Sequence, residues 1–436
     1  MTEQKFLDPL YGPIEVDAAT RALVFSPEFQ RLRYVRLCNI NSLYLTGASE
    51  PKRFEHCLGV YHLADVWARE RSLTLRETSI VRAAALLHDL LTGPFGHSFQ
   101  YVMEDNPFEQ RFEHTNIAHG VSSRFLKLVR ASAHFGGRPF EVASLLGEIS
   151  ADVFEAVEGK GPFGSIISGT LDLDNLDNVV RLAFHMGLCN DEDRALPLKL
   201  TPLIETREGR LAVREHAKPL LERWFDIRRR QYELLLLDRG EFSAKAMLTL
   251  AVEMAAEANL IGPDDWTLTD DELLEKLRER SVGDNQAIGQ IVRRLRVGDL
   301  FECVGVWRSD AIDLYNALSD AHSKRELERS IEAQLAGKGA PKVKVCVHYI
   351  LDARKTCRAL SYYDLASGSE KMIGHDSRSL LVGVFLTNAR STVLTAQEQV
   401  RVSAIVRDGL ATVGLGILKN AEEPLAASPV ESGLFV

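Results

Sequence analysis

The sequence lacks paired cysteines and long apolar runs, and each absence excludes a class of protein. Its six cysteines lie far apart, without a C-x-x-C pair or zinc-finger spacing, which predicts reduced thiols rather than a disulfide framework. No run of about 18 apolar residues occurs, so no transmembrane helix is expected. The N-terminus MTEQKFLDPLYG has neither a basic nor an apolar leader segment. We therefore expect a cytoplasmic protein.

Basic residues are too few for a dedicated duplex-DNA-binding protein. Lys and Arg number 52 against 61 Asp and Glu, which gives a net charge of −9. Proteins that bind duplex DNA usually carry a basic stripe, whereas one local basic pocket is enough for a small phosphorylated substrate. The glycine patterns G-x-x-x-x-G-K-[S/T] and G-x-G-x-x-G are also absent, which argues against an ATP-driven motor and a dinucleotide enzyme.

Helical periodicity dominates roughly the first 260 residues. Apolar residues recur at i, i+3, i+4 and i+7 in four segments, which predict amphipathic helices over 60–70, 78–91, 119–131 and 242–258. The segment TLTDDELLEKLRER begins with a Thr or Asp cap and a glutamate three residues later, a helix-start signature. The segment TREGR is typical of a hairpin turn.

The pattern changes after about residue 300. The runs FECVGVW, VKVCVHYI and SLLVGVFL are rich in β-branched residues and predict strands of a small sheet. We therefore predict a mainly α protein with a helical core over 1–260 and a smaller C-terminal α+β region over 261–420. Residues 421–436, rich in Pro, Ser and Glu, are expected to form a flexible tail.

The segment RAAALLHDLLTGPFGHSF places His88 and Asp89 among apolar helix residues. An ionised carboxylate buried there without a partner would cost several kcal/mol, so a cation or a set of donors must meet it. The alternative is that the pair satisfies a capped helix end, since T-G-P-F-G ends the helix immediately.

Two other segments supply side chains of matching chemistry. RFEHCLGVYHLA places His56 at the start of an amphipathic helix. LDLDNLDNVVRLAFHMG opens another helix with Asp172, Asp174 and Asp177, of which the last two can share a face. Two imidazoles and two carboxylates suit a divalent ion with mixed nitrogen and oxygen ligands, such as Fe, Mn, Ni or Zn. Capping against the helix dipole is the alternative for the aspartates.

The order of these residues resembles that of a known family. His56, then His88-Asp89, then Asp174 reproduce the H…HD…D pattern of the HD-superfamily metal-dependent phosphohydrolases. The segments SPEFQRLRYVRL, RFEHCLGV, HDLLTGPFGHSF and DLDNLDNVVR resemble its deoxynucleoside triphosphate triphosphohydrolase branch. The resemblance implies an HD-domain helical core and these four residues as ligands of a divalent metal ion, with Mg²⁺ possible beside the substrate. It also implies attack of water at the α-phosphate of a nucleotide, with release of nucleoside and tripolyphosphate.

The same resemblance suggests roles for residues around the metal. His114 matches a catalytic histidine of the family that acts as general acid, and His97 matches the second histidine of the G-P-F-x-H segment. Arg53 matches the arginine of the R-F-E-H motif, which donates hydrogen bonds to the substrate phosphates. Tyr232 matches the tyrosine that packs on the sugar. Relatives in this branch are oligomers, so the resemblance also implies a homo-oligomer.

Several positions depart from the branch, although the metal ligands do not. Thr92 replaces a histidine that acts on the leaving group, and Asn178 replaces a tyrosine; both are expected to line the substrate site. The other departures are Thr115, Gln100, Leu182 and the segment 36–39. Three hypotheses follow: a (deoxy)nucleoside triphosphate triphosphohydrolase, an HD phosphohydrolase of another phosphoester (a nucleoside monophosphate, a modified or a cyclic nucleotide), or a nucleotide-binding regulator that has lost turnover.

Overall fold

The computed structural model describes residues 4–38, 50–96, 99–100, 142–207, 210–214, 216–338, 343–387 and 395–421. Within these residues the chain is mainly α-helical with small sheets, as the sequence predicts. It divides into two compact units. The helical unit comprises Met1–Leu235, Met247–Gly298 and Arg354–Asp376, and the sheet unit comprises Leu236–Ala246, Asp299–Ala353 and Ser377–Val436. The helix predicted over 119–131 and nearly all of the predicted tail lie outside the described residues.

The predicted helices at 60–70, 242–258 and 267–280 are present in the structure. The longer helices before residue 300 are Arg53–Glu70, Leu75–Leu87, Leu173–His185, Ala217–Leu237, Arg239–Glu257, Asp270–Arg280 and Gln286–Arg296. The shorter ones are Ala18–Val24, Pro27–Arg31, Val142–Leu146, Ser150–Val157, Gly164–Ile167, Asp191–Arg194 and Leu196–Leu200. Thr269 caps the Asp270–Arg280 helix by accepting the N–H of Glu272, whose carboxylate accepts the N–H of Thr269.

The helix predicted over 78–91 is shorter than expected at its C-terminal end. It begins after the Thr74 cap and ends at Leu87, so His88 is its C-cap residue. The backbone then turns, with the N–H of Leu90 donating to the carbonyl of Leu87 at 3.0 Å. Phe95 and Gly96 adopt left-handed backbone conformations, with φ of 53° and 52°. The T-G-P-F-G segment cannot extend a helix, and Asp89 lies in the turn that follows the helix.

The helical unit also contains two small sheets. Gln4–Asp8 pairs antiparallel with Gly12–Val16. Ile204–Arg207 pairs antiparallel with Arg210–Val213, so the hairpin predicted at TREGR is present. This second sheet is completed by Leu360–Asp364, which pairs parallel to Arg210–Val213, and by Ser369–Ile373.

The sheet unit contains the three strands predicted from β-branched runs. Its antiparallel strands are ordered Lys419–Asn420, Glu302–Ser309, Arg378–Leu386 and Val345–Ala353. Its helices are Tyr315–Ser319, Ala321–Gly337 and Ala396–Ala411. Ile331 and Val406 from the two longer helices are fully buried and share one hydrophobic core with strand residues such as Val384. No helix in the described ranges combines the length and the apolar character needed to cross a membrane.

Three helices of the helical unit position the candidate site. Arg53–Glu70 packs against both Leu75–Leu87 and Leu173–His185. The first of these helices buries nearly its whole N-terminal half, including His56 and Val60, each with no exposed surface. Polar side chains on this buried face must therefore find partners within the helix interface.

Candidate metal centre

The four residues predicted as metal ligands converge at one point between the three helices. Nε2 of His56 lies 3.1 Å from Nε2 of His88 and 3.0 Å from Oδ1 of Asp174. Nε2 of His88 lies 3.7 Å from the same oxygen of Asp174. Oδ2 of Asp89 lies 3.8 Å from Nε2 of His56 and 3.6 Å from Nε2 of His88. Residues distant in sequence thus place two nitrogens and two oxygens around one position.

Hydrogen bonds on the far side of each imidazole orient it toward this position. Nδ1 of His88 donates to the carbonyl of Ala85 at 2.8 Å, since a carbonyl can only accept. Nδ1 of His56 donates to Oδ1 of Asp177 at 2.7 Å. The two Nε2 atoms are therefore the nitrogens that face the centre, where each can bind a cation once it carries no proton. Such outer hydrogen bonds are typical of metal-ligating histidines.

Asp177 and Arg181 form a buried ion pair behind His56. Nε and Nη2 of Arg181 donate to the two oxygens of Asp177 at 2.8 and 2.9 Å, and neither residue has exposed surface. Nη1 of Arg181 also lies 2.9 Å from Asp8, which lies at the end of the first strand. Gly59 is required opposite this pair, because a methyl group there would overlap the Asp177 carboxylate and the Arg181 guanidinium. Asp177, the hydrogen-bond partner of His56, is thus held in place where the Arg53–Glu70 and Leu173–His185 helices pack together.

Asp89 is held from both sides of its carboxylate. Nη1 of Arg53 donates to Oδ2 at 2.5 Å, and the hydroxyl of Thr92 donates to Oδ1 at 2.9 Å. All three side chains are buried. The turn itself is fixed by Arg31, which donates to the carbonyls of Leu90 and Thr92. Asp89 therefore has a defined orientation before any ion binds.

The charges of the cluster favour the ionised form of each group, so they raise the pKa of His56 and lower the pKa values of the aspartates beside it. Burial alone would lower the pKa of His56, but hydrogen bonds to Asp174 and Asp177 raise it to about 9. Burial alone would raise the pKa of Asp177, but Arg181 and then His56 lower it to about 2. Arg53 and the two histidines likewise outweigh burial and hold the pKa of Asp89 well below its ordinary value. The carboxylates are therefore ionised and available as ligands at neutral pH.

A divalent metal ion fits this donor set. Arg53 balances Asp89 and Arg181 balances Asp177, whereas in the described part of the chain Asp174 pairs with the two imidazoles alone. Two Nε2 lone pairs 3.1 Å apart repel each other unless a proton or a cation lies between them. His56, His88 and Asp174 offer ligand atoms that all lie within 4.8 Å of one another. Imidazole nitrogens with carboxylate oxygens suit Zn, Fe, Mn or Ni.

Of the neighbouring aspartates, one caps the helix and the other faces the two imidazoles. Asp172 is the N-cap of the Leu173–His185 helix and accepts the N–H groups of Gly169 and Asn175, each at 2.7 Å. Asp174, the second residue of the helix, contacts the imidazoles instead. Burial and then the nearby Asp174 charge raise the pKa of Asp172 to about 7.

Of the residues predicted to line the substrate site, Arg53 and Thr92 hydrogen-bond to Asp89, whereas in the part of the chain that the structure describes Asn178 and Tyr232 do not reach the cluster. Among the described residues, neither Asn178 nor Tyr232 forms a hydrogen bond or ion pair with the four ligand residues. The Tyr232 ring instead lies under the guanidinium of Arg228, 4.5 Å from its carbon. Of the departures from the family pattern, Leu182 is buried on the Leu173–His185 helix. His97, His114, Thr115 and Asn39 lie outside the described residues.

Arg36, one of the residues that depart from the family pattern, is bound by two acidic residues. Its Nε donates to Glu50 at 3.0 Å, and its backbone N–H donates to Oδ2 of Asp270 at 2.9 Å. Oδ1 of the buried Asp270 accepts the N–H of Phe95 at 2.7 Å. Asp270 thereby joins the Arg36 segment to the turn that follows His88 and Asp89.

The sequence analysis places Asp177 on one helix face with Asp174 but not among the metal ligands, and it gives Arg181 and Asp270 no role at the site. Asp177 and Arg181 are four residues apart on one helix, a spacing at which opposite charges pair. Asp177 is also three residues after the predicted ligand Asp174, so this spacing was a usable signal. Asp270 offered none, because it lies 175 residues from its partner Phe95.

Comparison with known proteins supports the resemblance inferred from the motifs. Residues 53–134 match the family model of the HD domain. The chain is 28% identical over 268 residues to the uncharacterized protein YwfO of Bacillus subtilis, covering 58% of this chain and 56% of that protein. It is 29% identical over 229 residues to deoxynucleoside triphosphate triphosphohydrolase SAMHD1 of Mus musculus, covering 46% and 34%. The human SAMHD1 protein is 28% identical over 238 residues, covering 48% and 37%.

The matches cover parts of longer proteins. The chain spans about half the length of the bacterial relative and about a third of the SAMHD1 proteins. His56, His88 and Asp89 lie inside the matched HD segment, whereas Asp174 lies beyond its end. The predicted resemblance to HD-superfamily phosphohydrolases is thus confirmed by the family match and by the relatives.

Proposed function

Because the chain carries an HD domain, we propose that it is a metal-dependent phosphohydrolase that acts on nucleotides. The observation that carries the proposal is the convergence of His56 Nε2, His88 Nε2 and Asp174 Oδ1, with Asp89 beside them. A divalent ion held there would polarise a phosphate oxygen and lower the pKa of a bound water molecule. Fe, Mn, Ni and Zn suit the donor set, and Mg²⁺ would accompany the substrate phosphates.

The residues around the ligands have separate tasks in this proposal. Asp177 keeps the proton of His56 on Nδ1, so that Nε2 remains a ligand. Arg53 neutralises Asp89 through Nη1, while its buried Nε has no hydrogen-bond partner among the described residues. A buried guanidinium with an unsatisfied N–H suits a phosphate oxygen. Arg53 would thus balance the charge of a ligand and contact the substrate.

For the substrate, we propose a (deoxy)nucleoside triphosphate, cut at the α-phosphate to release nucleoside and tripolyphosphate. The SAMHD1 relatives are named for this activity. The resemblance assigns the general acid to His114, a phosphate contact to His97 and the sugar contact to Tyr232, with Asn178 lining the site. The hydroxyl proton of Thr92 is used by Asp89, so Thr92 does not protonate the leaving group.

A second candidate is a nucleotide-binding regulator without turnover. The observation that favours it is the hydrogen bond from the Thr92 hydroxyl to Asp89. Thr92 stands where the resemblance places a histidine that acts on the leaving group, and its only hydroxyl proton is donated to Asp89 instead. A lost acid group would cost about 10²–10⁴ in rate. Binding of metal and nucleotide would survive that loss.

A substrate screen separates these possibilities. The full chain should be incubated with dNTPs, NTPs and nucleoside monophosphates in the presence of Mn, Fe, Ni, Co or Mg, and its products identified. Tripolyphosphate supports the triphosphohydrolase, and orthophosphate supports another phosphoester. Tight nucleotide binding without products supports the regulator.

Two variants test the chemistry. Asp174→Ala should remove the metal and the activity together, whereas His114→Ala should remove activity and keep the metal. Metal retained in Asp174→Ala would contradict the ligand assignment.

We also propose that the protein is a cytoplasmic homo-oligomer. The support is the resemblance to a branch whose members are oligomers. Light scattering at micromolar concentration, with and without nucleotide, should report more than one subunit. A monomer under both conditions would contradict this proposal.

A further inference from the structure

Cys57 lies beside the metal centre but has no task in the function proposed above. It follows His56 directly on the Arg53–Glu70 helix and has no exposed surface. The sulfur of Cys57, a nitrogen of His88 and a carboxylate oxygen of Asp89 all lie within 4.8 Å of one another. The thiol is therefore the third member of a cluster whose other two members already belong to the centre.

The thiol of Cys57 has no hydrogen-bond partner among the residues that the structure describes. A thiol is a weak hydrogen-bond donor that is often buried, so its burial alone points to no ligand. Its position does, because His88 and Asp89, two side chains that can ligate a metal, each offer a ligand atom within 4.8 Å of the sulfur. The three-donor cluster is therefore the observation that points to a metal ion.

We propose that Cys57, His88 and Asp89 form a second donor set, which captures a thiophilic ion such as Zn²⁺ or Cd²⁺. Thiolate ligands favour soft and borderline ions, whereas imidazole and carboxylate ligands also accept Mn²⁺. Zinc is commonly held by three protein ligands and a water molecule, and sulfur, nitrogen and oxygen are all among its usual ligand atoms. The set of His56, His88 and Asp174, in contrast, contains no sulfur.

The Cys57 donor set shares His88 and Asp89 with the four-ligand centre, so an ion in one excludes an ion in the other. An ion held by Cys57 would take a histidine away from the ion that supports hydrolysis, and thiophilic ions would act as inhibitors. This consequence rests on the proposed function, whereas the binding of the ion does not. When the sulfur–metal bond forms, the thiol proton leaves to solvent; no other covalent bond breaks and no oxidant is required.

Cobalt(II) is the probe, because a cysteine ligand adds a sulfur-to-cobalt charge-transfer band in the near ultraviolet. Metal-free full-length protein is titrated with Co²⁺, and the band is expected to grow to a limit at one equivalent or less. Cys57→Ser should abolish the band. Cys346→Ser, which changes another buried cysteine in the sheet unit, is the matched control and should keep it. Asp174→Ala, which removes a ligand from the other set only, should also keep it.

A competition experiment tests the shared histidine. Mn²⁺ bound to the protein is followed by electron paramagnetic resonance while Zn²⁺ is added. Zn²⁺ should displace Mn²⁺ from Cys57→Ser at concentrations at least about tenfold higher than from the wild type. Cys57→Ala serves as a second variant should the serine protein not fold.

The outcomes separate this proposal from the proposed function. Absence of the band in the wild type, or its survival in Cys57→Ser, overturns the Cys57 donor set whatever the hydrolysis screen reports. A wild type that shows the band but hydrolyses no nucleotide retains the donor set and overturns the phosphohydrolase. Equal Zn²⁺ competition in wild type and Cys57→Ser overturns the role of the sulfur in metal selection.

Discussion

Nδ1 of His56 lies 2.7 Å from Oδ1 of Asp177, and this bond determines which nitrogen of His56 faces the metal centre. The Asp177 carboxylate is in turn held by Arg181 and has no exposed surface. A candidate ligand and the group that orients it therefore come from two different helices. Whether the chain binds a metal depends on the packing of these helices as well as on the ligands themselves.

Asp177→Asn should weaken metal binding while the protein remains folded. The amide has the same shape but carries no charge, so it holds the Nδ1–H of His56 less firmly and leaves Arg181 with Asp8 and Glu55 as acidic partners. Loss of such an outer partner costs about 10–100-fold in metal affinity. Titration calorimetry with Mn²⁺ or Zn²⁺ measures the change.

Asp172→Ala is the control for that variant, because it removes the N-cap of the same helix. We expect a loss of about 1 kcal/mol of unfolding free energy and an unchanged metal content. If Asp172→Ala loses as much metal affinity as Asp177→Asn, the effect comes from the helix and not from the His56 partner.

Gly59→Ala should disturb the same ion pair from the opposite helix. The new methyl group overlaps the Asp177 carboxylate and the Arg181 guanidinium, which cannot move into solvent because both are buried. Overpacking of this kind typically costs about 1–3 kcal/mol of unfolding free energy, and metal affinity should fall with it. Gly262→Ala, where nothing lies within 4 Å, should stay within about 0.5 kcal/mol of the wild type. Equal stability of the two variants in urea unfolding would contradict the close approach.

Thr92→Val should lower metal affinity by about tenfold, because Asp89 loses the hydroxyl that orients its Oδ1. Valine has nearly the same shape as threonine, so the substitution leaves no cavity in the buried turn. Thr92→Ser retains the hydroxyl and should bind metal as the wild type does. Equilibrium dialysis followed by elemental analysis compares the three proteins. Similar metal content in all of them would show that Thr92 has no part in orienting Asp89.

His348 should make the sheet unit sensitive to mild acid. Burial, and then the charges of Lys324 and Lys245, lower the pKa of His348 to about 3, against about 6.5 in an unfolded chain. Below pH 6.5 the unfolded state therefore takes up a proton that the folded state does not. The stabilisation is complete above pH 6.5 and is lost as the pH falls toward 3, by about 2 kcal/mol between pH 6.5 and 5.

The measurement is urea unfolding of the wild type and of His348→Gln between pH 7.5 and 5. The difference between their unfolding free energies should shrink as the pH falls, because the variant has no imidazole to protonate. Parallel curves for the two proteins would show that His348 is not kept neutral by the fold.

Much of the fold could be predicted because it follows from local patterns. The Thr269 cap predicted the start of the Asp270–Arg280 helix, and the β-branched run SLLVGVFL predicted the strand Arg378–Leu386. The end of the helix that carries His88 was predicted four residues too late, at residue 91 instead of Leu87. The apolar residues continue past Leu87, so periodicity alone cannot show where the backbone turns.

The sequence by itself determined the chemistry available to this protein: two histidines and two aspartates in an order that resembles HD phosphohydrolases, on segments whose periodicity forms helices. Local propensity and side-chain identity are properties of neighbouring residues, so they can be read without the fold. Only the tertiary structure decided that Asp172 caps while Asp174 faces the imidazoles, that Asp177 orients His56, and that Asp270 joins Arg36 to the turn at Phe95. Each of these depends on distances of about 3 Å between separate segments, and burial makes such contacts obligatory without specifying in advance which partners will form them.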